Sequence, residues 1–354
     1  MDHIAKIAAQ LPDHGLDAMM IVSEPGERYA LGFQGEGLLL VTKDGAQYST
    51  DGRYIEAARE RIGGAEVVLT TPDKGHLAFA KEHIQAKGLH NVGFESGAMT
   101  VDSHKRYAQE LPCILTPAQK LLDGLRASKD EEELALMRRA QAVTDEAFKA
   151  VLNFIRPGMT EREIAARLVY ELLSRGGEKV SFDPIVAAGA NGSRPHAVPG
   201  DQVVDTGMFI TMDFGCKVEG YCSDMTRTVA LGQPTQEMEE VYNAVLAAQK
   251  AGINAARAGV AGKEIDAAAR RVLQEAGYGN YFSHSFGHSL GVEIHESPNA
   301  SAREDRLMPV GAVISAEPGV YIPGRLGVRI EDVLILKEGG CEDITCSPKD
   351  LIVL

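Results

Sequence analysis

Tryptophan is absent from this chain of 354 residues, and its five cysteines include no Cys-x-x-Cys pair. Chains that depend on disulfides or on a Cys-x-x-Cys redox motif usually space their cysteines in recognisable pairs. The pattern here is typical of reduced thiols in a cytosolic protein.

Long apolar runs and an excess of positive charge are also missing. No apolar run approaches the roughly 20 residues needed to cross a bilayer, and the first segment, MDHIAKIAAQLPDHG, lacks the charged-then-apolar order of a signal peptide. The 36 basic residues are outnumbered by 50 acidic ones, for a net charge of −14. This balance argues against binding to nucleic acid or to an anionic membrane. We expect a cytoplasmic protein whose acids supply cation sites.

The length is sufficient for two domains, and the first 116 residues or so alternate strand-like and helical segments. Strand-like runs such as DAMMIVS and GLLLVT alternate with helical ones such as HLAFAKEHIQAKG, which predicts an α/β domain. A crossover is expected over residues 116–128. A long amphipathic helix should then start at the acidic cluster of residues 130–133 and run to Pro157.

The second part of the chain contains an internal repeat. A shift of 101 residues aligns residues 156–176 with residues 257–277, with identities such as Glu163 and Glu264. Each copy is followed by a strand pair that carries acidic residues. We therefore predict two halves, each a helix pair plus a hairpin, related by a pseudo-twofold axis, with both hairpins in one sheet and a metal site at the seam. The alternative is that two helices rich in Ala, Glu and Arg align this well by chance.

Two predicted hairpins each oppose a pair of acids. Counting outward from a two-residue turn near Val218 places Asp213 opposite Asp224. Counting outward from the turn at residues 323–325 places Glu317 opposite Glu331. Like charges that face each other across a strand pair are destabilising, so a positive group must lie between them.

Metal ions are the better candidates for that positive group. Arg329 shares a strand face with Glu331, but one arginine cannot neutralise four acids. Carboxylate ligands with an imidazole favour Mn²⁺ and similar cations over a structural zinc. The alternative is that the acids are ordinary surface residues and that the predicted registers slip by one.

Histidines supply the imidazole. His284, His288 and His295 fall within the glycine-punctuated segment HSFGHSLGVEIHE, a composition that indicates backbone close to a ligand. His196 lies in a loop that prolines and a glycine make turn-rich. Each histidine alone has an ordinary structural or surface explanation.

The motifs together resemble a known family, the pita-bread metallopeptidases, and within it aminopeptidase P and the Xaa-Pro dipeptidases (prolidases). The resemblance covers nearly the whole chain and is strongest in TMDFGCKVEGYCSDMTRT, HSFGHSLGVEIHE, SAEPGVYIP and GVRIEDVL, with weaker signals in YALGF and STDGRY. It implies an amino-terminal α/β domain of the creatinase/prolidase type over residues 1–123. An α+β pita-bread catalytic domain with the pseudo-twofold repeat would follow over residues 124–354.

The resemblance also implies the metal ligands. Asp213 would bind one ion, His288 and Glu317 the other, and Asp224 and Glu331 would bridge both. The ions would be two divalent cations, Mn²⁺ foremost, with Co²⁺ and Zn²⁺ as alternatives, and they would hold a bridging hydroxide and polarise the peptide carbonyl. Glu317 would carry a proton from that water to the leaving nitrogen.

The remaining catalytic candidates follow from the same resemblance. His196, His284 and His295 would line the pocket, the first and last of them holding the scissile carbonyl and the tetrahedral intermediate. Arg329 would support the bridging carboxylates, and Tyr321 would lie behind the ligands. The substrates would be peptides with proline in the second position, whose tertiary amide and ring a shaped pocket can select. The resemblance further implies a homodimer.

Two departures bear on the substrate. Ser289 follows His288 where many relatives have a glycine, and Asn299 stands where some proline dipeptidases carry an arginine that helps to recognise a short substrate's carboxylate. The second departure favours an Xaa-Pro aminopeptidase acting on longer peptides over a dipeptidase. Methionine aminopeptidase usually lacks a first domain of this kind. Creatinase-like enzymes and the non-enzymatic peptide-binding proteins of this fold generally lack the complete ligand set.

Overall fold

The computed structural model describes residues 2–354 and divides the chain into two compact units, the first ending at Arg126 and the second beginning at Ala127. The predicted division after residue 123 falls inside a helix, Gln119–Ala127. None of the helices formed by residues 2–354 has the length and apolar character needed to cross a bilayer.

The first unit is an α/β domain built on a six-stranded sheet. Its strands are β1 (Ala18–Ile21), β2 (Leu38–Thr42), β3 (Gly45–Thr50), β4 (Ala65–Leu69), β5 (Asn91–Phe94) and β6 (Ile114–Pro117). Its helices are α1 (His3–Gln10), α2 (Glu24–Leu31), α3 (Ile55–Arg61), α4 (His76–Lys87), α5 (Val101–Glu110) and α6 (Gln119–Ala127), with a 3₁₀ turn at Pro12–His14. The strand order is β4-β3-β2-β1-β5-β6, in which β1–β5, β3–β4 and β5–β6 are parallel pairs.

Four strands of this sheet coincide with the strand-like runs of the sequence, but helix α2 does not stand out in it. The Pro25-Gly26 pair suggests a turn, yet both residues lie in the first turn of α2, where proline is tolerated because its missing N–H would have no partner there. The hydroxyl of Ser23 accepts a hydrogen bond from the N–H of Gly26 at 2.9 Å and caps the helix. The segment expected as a crossover contains the end of strand β6 and the whole of helix α6.

The second unit has four long helices and thirteen strands. The helices are α7 (Glu131–Leu152), α8 (Glu161–Ser174), α9 (Gln236–Ala255) and α10 (Gly262–Glu275), with 3₁₀ turns at Gly189–Ser193 and Gly279–Tyr281. The strands are β7 (Lys179–Val180), β8 (Ile185–Ala188), β9 (Met208–Phe214), β10 (Cys216–Val218), β11 (Tyr221–Cys222), β12 (Met225–Leu231), β13 (Gly287–Ser289), β14 (Glu296–Ala300), β15 (Val313–Ala316), β16 (Gly319–Ile322), β17 (Leu326–Arg329), β18 (Asp332–Lys337) and β19 (Gly340–Asp343). Helix α7 begins at a capping box formed by Asp130 and Glu133, as the acidic cluster predicts, and ends five residues before Pro157.

The repeat seen in the sequence is present in the structure. Helices α8 and α10 have the same length, and each begins and ends 101 residues from the corresponding end of the other. Each half also has a run of three antiparallel strands, β8-β9-β12 in the first and β13-β15-β18 in the second. Each half has its own hydrophobic core, with α7 and α8 packed on the first and α9 and α10 on the second.

The prediction that both hairpins share one sheet is wrong. Strands β9 and β12 belong to one sheet, β16 and β17 form a second, and β15 and β18 belong to a third. Strands β12 and β17 meet through the hydroxyl of Thr228, which donates to the carbonyl oxygen of Arg329 at 3.0 Å and accepts from its N–H at 3.2 Å. Next to it, the backbone N–H of Glu331 donates to the carbonyl oxygen of Thr226 at 3.0 Å, so side-chain and backbone hydrogen bonds together join the two hairpins.

The first acid-bearing hairpin turns one residue later than predicted. Val218 pairs with Tyr221, so the turn residues are Glu219 and Gly220, with φ of 46° and 84°. Two-residue hairpin turns of this type need positive φ at both positions, which glycine adopts freely and a β-branched valine resists. Glycine therefore decides where the chain reverses.

This turn moves the register by two residues. Asp213 lies opposite Thr226 rather than Asp224, which corrects the predicted pairing. Because side chains alternate with a period of two, a slip of two residues keeps both acids on one face of the hairpin. Asp213 and Asp224 accordingly line the same cavity.

The second hairpin has the predicted register. Strands β16 and β17 pair about residues 323–325, so that Gly319 lies opposite Arg329. Strands β15 and β18 continue in the same register on the other side of Glu317 and Glu331. At these two acids the ladder is interrupted, because their backbone N–H groups donate to carbonyls outside the hairpin.

A pH-dependent contact joins helix α7 to strand β19 and provides a stability test. Arg138 donates from Nε and Nη2 to the two carboxylate oxygens of Glu342, each at 2.9 Å. Arg138, and after it Lys337, lower the pKa of Glu342 to about 2 from an ordinary value of 4.5. Because the folded state has the lower pKa, this stabilisation is fully present above about pH 4.5 and is lost as the pH falls towards 2.

We therefore expect Glu342→Gln to lower the free energy of unfolding at pH 7 by only about 0.5 kcal/mol, because both side chains are about one-third exposed and solvent screens them. Urea unfolding of wild type and variant at pH 7, 5, 4 and 3 measures the difference. The difference should shrink below pH 4.5. A constant difference across this range would contradict the assignment.

Candidate metal centre

A cavity of about 510 Å³ in the second unit contains the predicted site. All nine candidates line it: His196, Asp213, Asp224, His284, His288, His295, Glu317, Arg329 and Glu331. The alternation of side chains between the two faces of strand β9 explains why Asp213 points into the cavity. Ile210, Met212 and Phe214 pack into the hydrophobic core of the first half, so the residue between the last two faces the other way.

Three buried carboxylates in the cavity have an oxygen that accepts no hydrogen bond. These oxygens are Oδ1 of Asp213, Oδ1 of Asp224 and Oε1 of Glu331. The three residues are at most 9 % exposed. Buried ionised groups normally find donors or cations, since leaving a charge unpaired in a protein interior costs several kcal/mol. Oxygen atoms that lack donors and share one cavity are suitable ligands for a divalent cation.

The imidazole of His288 supplies the nitrogen ligand that such a site needs. Its Nδ1 lies 3.2 Å from the carbonyl oxygen of Ser289, so Nδ1 carries the proton and donates to that oxygen. Its Nε2 therefore presents a lone pair, yet it faces Oδ2 of Asp224 at 3.5 Å and Oε1 of Glu317 at 3.3 Å. Acceptors in this arrangement repel one another unless a cation lies among them. The site also has the spacing that a metal ion needs. Three potential ligand atoms, one each from Asp224, His288 and Glu331, lie within 4.8 Å of one another.

The pKa shifts of the cavity residues also indicate that the site lacks positive charge. Burial raises the pKa of Asp224 well above its usual range, and the carboxylates around it raise it further. Burial is also the main cause of the raised pKa of Glu331 and of Glu317. Burial lowers the pKa of His288, which keeps its imidazole neutral. Divalent cations reverse the carboxylate shifts, because they favour ionised carboxylates, and they bind the neutral imidazole that burial already favours.

Arg329 is the buried cation that stands beside the acids. Its Nη2 donates to Oδ2 of Asp213 at 2.6 Å, and its Nε donates to the hydroxyl of Thr226 at 3.0 Å. That hydroxyl donates in turn to Oε2 of Glu331 at 2.7 Å. Arg329 is therefore bonded to one carboxylate directly and linked to a second through Thr226.

A second chain of hydrogen bonds fixes His284. Nη1 of Arg329 donates to the hydroxyl of Tyr321 at 2.8 Å, and that hydroxyl lies 2.8 Å from Nε2 of His284. Nδ1 of His284 lies 2.9 Å from the carbonyl oxygen of Ser285 and must donate to it. Because burial lowers the pKa of His284, the ring is neutral and Nε2 accepts from Tyr321. Both ring nitrogens are thus occupied within the protein.

His196 and His295 lie at the exposed edge of the cavity. The ring of His295 packs edge-on against that of His288, with centroids 4.5 Å apart. Burial lowers the pKa of His295. Their exposure allows direct contact with a bound peptide. His284 also lines the cavity, but both of its ring nitrogens are bound within the protein.

Three residues of this site are absent from the sequence-based prediction. Thr226 contacts both Arg329 and Glu331, the Ser315 hydroxyl donates to Glu317 at 3.0 Å, and Gln141 accepts from the N–H of Asp224 at 3.3 Å. Ser315 lies two residues before Glu317, so strand alternation is a signal that could have found it. Gln141 comes from helix α7, and no local pattern connects it to the strands.

Comparison with known proteins agrees with this geometry. Residues 135–338 match Metallopeptidase family M24, and residues 3–128 match the Creatinase/Prolidase N-terminal domain. The chain is 39 % identical to an uncharacterized peptidase of Bacillus subtilis over 96 % of both chains. Among solved structures, an Xaa-Pro dipeptidase from Bacillus anthracis has a TM-score of 0.95 and 39 % identity, covering 99 % of both chains. An X-Pro aminopeptidase from Thermotoga maritima has a TM-score of 0.90 and 35 % identity, covering 96 % of this chain and 98 % of that one.

These matches confirm the predicted architecture of a creatinase/prolidase-type α/β domain followed by a pita-bread domain, and they confirm that the protein is a metal-dependent peptidase. The individual residue roles stay predictions. The chain belongs to Metallopeptidase family M24, in its aminopeptidase P and prolidase branch.

Proposed function

We propose that this protein is an Xaa-Pro aminopeptidase, which hydrolyses the bond between an N-terminal residue and a proline in the second position. The observation that carries the proposal is that the buried, donor-free carboxylate oxygens of Asp213, Asp224 and Glu331 share one cavity with the Nε2 lone pair of His288. A site of this kind, in a cavity large enough for a short peptide, suits metal-assisted hydrolysis.

In this proposal Asp213, Asp224, His288, Glu317 and Glu331 hold two divalent cations. The oxygen-rich ligand set with one imidazole favours Mn²⁺, with Co²⁺ and Zn²⁺ as alternatives. When bound, such ions polarise a peptide carbonyl and lower the pKa of water. We also expect a homodimer, as the family resemblance implies, and a cytoplasmic location, as the cysteine pattern indicates.

The protein's own side chains supply the proton transfer and the orientation of the substrate. Glu317 receives one hydrogen bond, from Ser315, and is proposed to accept a proton from the attacking water and deliver it to the proline nitrogen. His196 and His295, at the cavity edge, would donate hydrogen bonds to the carbonyl oxygen as negative charge develops on it. Arg329 and Tyr321 would orient the carboxylates and His284 without contacting the substrate.

The choice between an aminopeptidase and a dipeptidase rests on the charge of the cavity. In an Xaa-Pro dipeptide the proline itself carries the free carboxylate, and Arg329 is the only arginine or lysine among the described residues that line the cavity. It is already bound to Asp213 and Tyr321. Asn299 also lines the cavity and is neutral, with its Oδ1 accepting from the N–H of Ser289 at 3.1 Å. These features favour longer peptides.

An Xaa-Pro dipeptidase is the second candidate. It is favoured by the name of the similar Bacillus anthracis structure, whereas the Thermotoga maritima structure is named an X-Pro aminopeptidase. The two activities differ in whether the residue after proline is tolerated. Substrate length therefore separates them.

The test is a product assay on metal-stripped protein resupplied with Mn²⁺ or Co²⁺, with Ala-Pro, Ala-Pro-Ala and Met-Ala-Ser offered in parallel. We expect metal-dependent release of alanine from Ala-Pro-Ala. Cleavage of Ala-Pro alone would establish the dipeptidase. Release of methionine would indicate a methionine aminopeptidase, and cleavage of none with any metal would indicate a peptide-binding role.

A further inference from the structure

Glu161 is a fully buried carboxylate outside the cavity, and its side chain is bound by the loop that forms one wall of the cavity. It is the first residue of helix α8 and is 0 % exposed. Its Oε1 accepts from the N–H of Ala188 at 2.8 Å and from Nδ2 of Asn191 at 3.0 Å. Its Oε2 accepts from the N–H of Gly200 at 3.1 Å. The donors, together with the start of the helix, stabilise its negative charge without a cation.

These contacts hold the two ends of what we call the wall loop, residues 188–200. Five consecutive residues of this loop line the cavity: Pro195, His196, Ala197, Val198 and Pro199. Of the apolar side chains at the cavity edge, Val198 is 86 % exposed, whereas Ala197 beside it is buried. Nη1 of Arg329 donates to the carbonyl oxygen of Pro195 at 3.3 Å. His196 therefore sits between a tether to Arg329 and a tether to Glu161.

The other half of the repeat is built differently at this point. The residue that corresponds to Glu161 after the shift of 101 is Gly262, where a Cβ atom would lie 2.1 Å from the carbonyl oxygen of Asn299. There the carboxylate comes from Glu304, which accepts from the N–H of Asn299 at 3.4 Å and pairs with Arg306. At the position that matches Glu161 the second half therefore has no side-chain carboxylate, although one turn further along helix α10 the buried Asp266 accepts a hydrogen bond from the N–H of Phe286 at 2.9 Å.

We infer that Glu161 is a positioning residue, which holds the wall loop so that His196 faces the bond to be cleaved. The inference rests on the proposed peptidase function. Glu161 lies outside the set of residues that line the cavity, so any effect on turnover is indirect, and the three donors to its side chain all belong to the wall loop.

The test is Glu161→Gln. Glutamine keeps one acceptor oxygen but turns an NH₂ group towards the donors at the other end of the loop, so one tether is lost. We expect kcat/KM for Ala-Pro-Ala to fall by about 10- to 100-fold, as misplacement of a catalytic group by an ångström or so would cause. Amides of residues 188–200 should exchange with deuterium faster than in the wild type, while exchange elsewhere in helix α8 is unchanged.

Glu171→Gln is the matched control. Glu171 is also a buried glutamate of helix α8, 2 % exposed, but it pairs with Arg167 and Arg175 and lies away from the wall loop. It should lose thermal stability while keeping kcat/KM and wall-loop exchange near the wild-type values. If Glu171→Gln reduces kcat/KM as much as Glu161→Gln, loss of stability explains both and the inference is overturned.

A double-mutant cycle with His196→Ala separates positioning from a general structural effect. If Glu161 acts through His196, then Glu161→Gln should change kcat/KM by less than about two-fold when His196 is already alanine. If the losses in kcat/KM of the two single variants multiply in full in the double variant, the inference is overturned. If the wild type cleaves no Xaa-Pro peptide, the proposed function fails by itself, and hydrogen exchange then decides on the tether: unchanged exchange of residues 188–200 in Glu161→Gln would refute it.

Discussion

Asp224→Asn and Glu331→Gln are each expected to reduce Xaa-Pro hydrolysis by about 10³-fold or more, and to lower the amount of divalent metal that the protein retains on dialysis. Each change keeps the shape of the side chain but removes a negative charge and replaces one ligand oxygen with an amide nitrogen that bears hydrogens. Residues that only orient a ligand typically cost 10- to 100-fold in metal affinity or activity when changed, and a ligand should cost more. Turnover of Ala-Pro-Ala and metal content by atomic emission measure the two effects.

Asp145→Asn is the control for these variants. Asp145 accepts hydrogen bonds from the backbone N–H groups of Cys346 and Ser347 and is not among the residues that line the cavity. The same chemical change there should leave both metal content and turnover near wild type. Retained turnover in Asp224→Asn or Glu331→Gln would mean that these residues are not ligands.

Arg329→Met should have the second largest effect and should act on both stability and activity. The side chain is 3 % exposed and donates to Asp213, Thr226, Tyr321 and the carbonyl of Pro195. Its removal leaves a buried carboxylate without its cation, which typically costs about 3–5 kcal/mol of stability. Because the ligand carboxylates and the wall loop also lose their support, we expect kcat/KM to fall by about 10²-fold.

Arg329→Lys is informative beside it, since a lysine restores the charge but a single ammonium cannot reproduce the fork of donors. We expect it to recover part of the stability and little of the activity. Arg138→Met serves as the control, because Arg138 pairs with Glu342 outside the cavity and is about one-third exposed. It should lose no more than about 1 kcal/mol. An Arg329→Met protein with wild-type kcat/KM would contradict the supporting role.

The identities of the cavity residues could be predicted because of their chemistry. Acids spaced for facing strands and histidines among glycines are costly without a ligand, so their presence in one chain is informative. The turn at residues 323–325 also gave the correct register, because glycine and proline restrict the chain locally. The first hairpin was predicted wrongly by two residues for the same reason: Gly220, rather than Val218, determines its turn. The error left Asp213 on the correct face because side-chain alternation has a period of two.

The supporting residues could not be predicted in this way. Thr226, Gln141 and Glu161 are ordinary residue types in ordinary local contexts, and their roles arise from partners 27 to 105 positions away along the chain. The division of the hairpins among separate sheets likewise appears only in the three-dimensional structure, where the hydroxyl of Thr228 bonds to the backbone of Arg329.

The sequence by itself determined the two-domain order, the internal repeat, the family and the residue types of the metal centre, since each of these depends on local pattern or on the chemistry of single side chains. Only the tertiary structure decided which nitrogen of His288 is free, which carboxylate oxygens lack donors and which loop Glu161 holds. These are properties of distances between segments remote in sequence, and they arise only when the two halves have packed and their buried polar groups have found partners.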